Sequence, residues 1–124
     1  MSAQTPIARV EGLGAAHSGT GHFWRQRISA VALVPLSIWF VCTTLALIGA
    51  NRHEAIAFLS VPINAILMAL FVIAALRHMV LGVQVVIEDY VHHEGPKIVL
   101  VVLNQFFAWL VGAACMFALV KIAL

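Results

Sequence analysis

Charge is what this 124-residue sequence has least of. Seven lysines and arginines and five acidic residues stand against 63% hydrophobic side chains. With a mean hydropathy of +1.03, a water-soluble domain is excluded, because so few hydrophilic side chains cannot build a polar shell. Cysteine is scarce too. Cys42 and Cys115 each stand alone inside an apolar run, so there is neither a disulfide framework nor a metal-binding spacing, and both read as small packing residues. A net charge of +2, carried mostly near the ends of the apolar runs, offers no surface for nucleic acid. Internal repeats and low-complexity tracts are missing as well.

What remains is three long apolar segments, over residues 28–50, about 61–87 and about 98–120. Each exceeds the roughly 20 apolar residues that cross a bilayer as a helix. A spanning segment must satisfy its own backbone hydrogen bonds, so helices are the expected form. The fold class is therefore an all-α membrane protein: three transmembrane helices in an antiparallel bundle. Residues 1–21 are polar and glycine-rich and read as an N-terminal tail, mobile unless a partner orders it; residues 22–124 read as one membrane domain. The first apolar run is too long for a signal peptide and has no small-residue cleavage site after it.

Local chemistry sets the ends of the spans. Phe23 and Trp24 suit the headgroup level, with Arg25 and Arg27 facing water or lipid phosphate. Pro35, about two turns inside the first span, is expected to kink it or loosen its packing. The stretch "GANRHEA" reads as a short connection, Pro62 as a first-turn proline, and Gly95 with Pro96 as a helix stop and restart. Arg9, Arg25, Arg27 and Lys97 fall on one side of the membrane, Arg52 and Lys121 on the other. That bias puts the N-terminus in the cytoplasm and the C-terminus across the membrane.

The second span holds the chemistry. His78 lies ten residues from the end of its run, roughly 15 Å inside. An intramembrane histidine is either a hydrogen-bonded packing residue or a functional group, and imidazole is the usual axial ligand of haem iron. At about 3.6 residues per turn, His78, Gly82, Val85 and Asp89 share one stripe. Gly82 leaves room either for a flat, bulky group or for close approach of a neighbouring helix. With no second intramembrane histidine, a six-coordinate haem would need its other ligand from another subunit. Asp89 and Tyr90 fall at the expected membrane boundary, where a phenol is either an interfacial anchor or a donor to a quinone carbonyl. Glu88, His92, His93 and Glu94 read as solvated loop residues. Arg77, about 100° around the helix from His78, allows snorkelling, a partner carboxylate or a porphyrin propionate.

On these residues the chain resembles the small membrane-anchor subunit of succinate dehydrogenase (succinate:quinone oxidoreductase, respiratory complex II). The resemblance covers nearly the whole chain. It includes "HFWRQRISAVALVPLSIWF" at the first span, three spans in all, and "HMVLGVQVVIEDYVH" closing the second, with the pattern H-x3-G-x-Q-x4-D-Y. An arginine followed two positions on by a small hydroxyl ("RIS") is a weaker mark.

The resemblance implies that His78 is the axial haem b iron ligand from this subunit, the second coming from the larger cytochrome b subunit. It implies that Tyr90 hydrogen-bonds ubiquinone with Asp89 beside it, and that Arg27 and His22 lie near the haem propionates or the quinone pocket. The implied partners are the cytochrome b anchor subunit, an iron–sulfur subunit and a flavoprotein subunit, in a larger helical bundle of the bacterial inner membrane or its mitochondrial equivalent. This chain has no flavin motif and no cysteine cluster, so it would anchor those partners rather than oxidise succinate. A haem-free structural anchor is one alternative. A small proton-conducting subunit is another, but the first and third spans offer no further ionisable groups. The larger cytochrome b subunit, also three-span, is disfavoured because its serine–histidine–arginine stretch at the first span is absent.

Overall fold

The computed structural model describes the backbone from Ala16 to Leu124 and the side chains from Gly21 onward, His22 excepted. Four helices follow one another: α1 Ala16–Ala46, α2 Arg52–Ser60, α3 Pro62–Tyr90 and α4 Glu94–Ala123. Three of them are long and apolar enough to cross a membrane. The all-α, three-span architecture is the one expected from hydropathy.

The helix boundaries follow from local chemistry. The first span is part of a longer helix that starts at Ala16, inside the stretch read as a polar tail, and continues through Pro35. Gly49, at φ 85°, turns the chain out of α1 in a conformation that costs glycine little. The connection that follows is not merely a loop. Asn51 caps α2, its side chain accepting from the Glu54 N–H at 3.0 Å while Glu54 accepts from the Asn51 N–H at 2.9 Å. This reciprocal capping box starts a nine-residue helix where a bare connection was expected. Val61 closes α2 and opens α3, and Pro62 at the first helical position of α3 divides the two. Asn64 Nδ2 donates to Phe58 O at 2.9 Å across that corner. Gly95 and Pro96 lie inside the first turn of α4 rather than before it, leaving a three-residue link from α3.

Packing is layered rather than closed. Helix α3 touches α1 on one side and α4 on the other, and α2 rests against α3 and α4. Among the described residues α1 and α4 have no backbone approach to each other. In the α1–α3 seam Phe40 stacks on Phe71, centroids 4.5 Å apart and rings 11° from parallel, an offset-type contact favourable to aromatic pairs. In the α3–α4 seam a Cβ on Gly112 would meet Leu76 Cδ1 at 3.2 Å, so this glycine lets the two helices close up. Asn104 Nδ2 donates to Val80 O at 3.0 Å in the same seam. Only Thr43, Leu81, Ile87 and Ala108 are buried among the described residues. Most of the apolar surface therefore faces outward, as in a chain whose surroundings are lipid and other helices.

Candidate functional site

His78 sits in the middle helix of the layer, half-buried, and its partner comes from α1. Ser29 Oγ lies 3.2 Å from His78 Nδ1. The same hydroxyl donates to Gln26 O, one turn back on α1, at 2.8 Å, the backbone bond that serine often makes inside a helix. No hydrogen bond is formed at His78 Nε2 among the described residues.

Gly82, one turn beyond His78, packs against no other helix among the described residues. A Cβ built there meets nothing within 4 Å, in contrast to Gly112. The space over Gly82 is open to whatever adjoins this face. Of the two readings of this glycine, closure against another helix of this chain is not what the fold does.

The Ser29–His78 pair also sets depth. Arg25 shares a groove of about 260 Å³ with Ser29, Ala32, Ala74, Arg77 and Leu81, which puts it at the level of Leu81. Asp89 lies eight residues further along α3, about 12 Å at 1.5 Å per residue. Tyr90, 79% exposed, is the final residue of α3. Asp89 and Glu88 are also exposed, with Gln84 Nε2 donating to Glu88 Oε1 at 2.7 Å. His92 Nδ1 lies 3.1 Å from Tyr90 O and fixes the corner.

The residues singled out in sequence thus form two stations, not one pocket. His78 and Gly82 occupy the first. Asp89 and Tyr90 occupy the second, roughly 16 Å further along α3. Arg27 is exposed, its guanidinium carbon 4.7 Å from the Phe23 ring centroid in a cation–π arrangement. The side chain of His22 lies outside the described residues. Arg77 reaches into grooves on both sides of α3, one with Arg25 and Ser29, the other of about 390 Å³ with Gln105 and Trp109. Two residues gained importance only in three dimensions. Ser29 carried a faint signal as a hydroxyl in an apolar run, and Arg25, four residues before it, lies on the same helical face. No group of three metal-ligating side chains forms among the described residues. A metal held through one axial histidine needs no such group.

The model for succinate dehydrogenase/fumarate reductase transmembrane subunits matches residues 1–114. The chain belongs to this family. Its similarity to the succinate dehydrogenase hydrophobic membrane anchor subunit of Paracoccus denitrificans is 36% identity, covering 97% of this chain and 92% of that protein. The same subunit of Rickettsia bellii is 37% identical over 82% of each chain. The succinate dehydrogenase membrane anchor subunit of Reclinomonas americana is 30% identical over 73% of this chain and 78% of the relative. No solved structure matches the chain significantly. It is accordingly a multi-pass membrane-anchor subunit of succinate dehydrogenase, and it associates with other subunits of that enzyme.

Proposed function

We propose that this anchor subunit supplies one axial ligand, His78, to a haem b shared with the larger cytochrome b subunit, and that Tyr90 and Asp89 form part of the ubiquinone site. The single observation carrying the haem reading is the pairing of an engaged Nδ1 with an open Gly82 one turn away. A ligating histidine characteristically has its second nitrogen hydrogen-bonded, and a flat group lying against the helix needs a position without a side chain. The residues present therefore fit a haem, which when bound supplies a one-electron carrier within the membrane.

The chain's own residues divide the remaining work. His78 holds the ligand position, and Gly82 keeps the adjoining surface clear. Arg27 and His22 are proposed to meet haem propionates or the quinone pocket from α1. The Tyr90 phenol donates to a quinone carbonyl, and the Asp89 carboxylate beside it orients that donor or carries protons. At the end of α3, this station is proposed to face soluble partners. An iron–sulfur subunit is proposed to dock there, with the flavoprotein subunit beyond it. Succinate oxidation then belongs to those partners. In this arrangement the N-terminus and the α3–α4 link are cytoplasmic and Leu124 is periplasmic, in a bacterial inner membrane.

Replacing His78 with alanine in the whole complex tests the haem assignment. Removal of the only nitrogen within reach should abolish the low-spin bis-histidine spectrum, leaving five-coordinate or missing haem. An unchanged low-spin spectrum overturns it. Anchoring, read as membrane-bound succinate oxidation with an artificial acceptor, should survive, since helix packing does not hang on one ligand.

A further inference from the structure

We infer that Ser29 is a positioning residue that fixes the tautomer of His78, leaving Nε2 as an unprotonated donor aimed away from α1. This rests on the haem reading above and goes beyond it, because it assigns which nitrogen ligates and what holds it so.

The assignment follows from counting protons. A serine hydroxyl has one proton and two lone pairs. Here the hydroxyl is placed to donate to Gln26 O at 2.8 Å. With its proton there, the 3.2 Å contact with His78 Nδ1 is a hydrogen bond in which Nδ1–H donates and Ser29 Oγ accepts. In a neutral imidazole one nitrogen is protonated and the other is not, so Nε2 bears the free lone pair. The opposite tautomer would make Ser29 give up Gln26 O and turn its proton toward Nδ1, and it would put the ring proton on Nε2, which then cannot ligate iron. The bond also couples helices: Gln26 and Ser29 belong to α1, His78 to α3, 49 residues away. The imidazole is therefore held by a short chain of bonds that ends on a main-chain carbonyl, an acceptor fixed by the helix itself.

A hydrogen bond accepted from Nδ1–H makes the imidazole a stronger electron donor, and loss of such outer partners typically costs about 10–100-fold in metal affinity. The stronger donor favours ferric over ferrous iron. Ser29→Ala, in the assembled complex, should therefore weaken haem retention about tenfold or more and raise the haem midpoint potential. If the loss falls mainly on the ferric form, tenfold corresponds to about 59 mV for a one-electron couple. Ser29→Thr keeps the hydroxyl and should restore both.

Three measurements decide the matter: haem content per flavin, a potentiometric titration of the haem, and nitrogen NMR of histidine-labelled, haem-free complex. The NMR should show protonated Nδ1 in the parent and a tautomer mixture in Ser29→Ala. A Ser29→Ala complex with the parent potential and the parent tautomer overturns the inference, and so does a threonine variant as impaired as alanine. Loss of membrane-bound succinate oxidation with an artificial acceptor in both variants, pointing to a packing role, overturns it as well. Failure of the haem reading looks different: His78→Ala is then spectrally silent, whereas failure of the Ser29 role alone leaves His78→Ala disruptive and Ser29→Ala harmless.

Discussion

Ser29 and His78 face each other across the α1–α3 seam at 3.2 Å, and with the Phe40–Phe71 stack they mark how the first span is set against the second. This setting places the polar turn of α1 well below the end of α3. Asp89 and Tyr90, proposed for the quinone site, consequently lie past the level of Arg25 and Arg27 on α1. One electron-carrying station and one quinone-binding station, stacked along one helix, is the functional reading of that offset.

Tyr90→Phe keeps the ring and removes one donor. A neutral hydrogen bond contributes about 0.5–1.5 kcal/mol, more if its partner stays buried and unpaired. Since about 1.4 kcal/mol is tenfold in rate, quinone reductase activity should fall several-fold or more. Succinate oxidation with an artificial acceptor drawing on the soluble subunits should hardly change. A parallel drop in both assays would assign Tyr90 to structure, and no drop in either would make it a boundary anchor.

Gly82→Leu separates the chain's own packing from that of the group proposed to adjoin it. Among the described residues no other side chain or helix comes within 4 Å of a Cβ there, and leucine is the better helix former by close to 1 kcal/mol. The variant should assemble normally yet lose haem, measured as haem per flavin in purified complex. Full haem content with an unaltered potential would show that the open surface meets lipid instead. Gly112→Ala should behave in the opposite way. Its Cβ presses on Leu76 Cδ1 at 3.2 Å, so assembly would suffer before any cofactor signal did.

Reporter fusions test the topology. A fusion after Leu124 should report a periplasmic location and one near Gly95 a cytoplasmic one. The reverse pattern would carry Asp89 and Tyr90 to the side away from the soluble subunits, and the quinone proposal would fall with it.

Much of this arrangement was legible in the chain. The three spans followed from hydropathy because the bilayer demands long uncharged helices. The stripe through His78, Gly82 and Asp89 followed from helical periodicity alone. Helix α2 was also within reach, since Asn51 and Glu54 stand at capping-box spacing inside the stretch read as a short connection. What periodicity could not supply was register between helices. The level of α1 against α3 depends on which side chains meet across a seam, and no single-helix pattern contains that information. That Ser29 meets His78, and that Arg25 shares their groove, shows only with α1 laid beside α3.

The open layer formed by α1, α3 and α4 has a consequence for the life of the subunit before assembly. With α1 and α4 apart and only four described residues buried, there is little interior for the chain to lose on unfolding. Newly made copies would be held in shape chiefly by lipid around them and by neighbouring subunits as they arrive. Such a chain should be a poor survivor as an orphan, cleared by membrane proteases when its partner is missing. Its abundance in the cell would then report the supply of the other subunits more than the rate of its own synthesis.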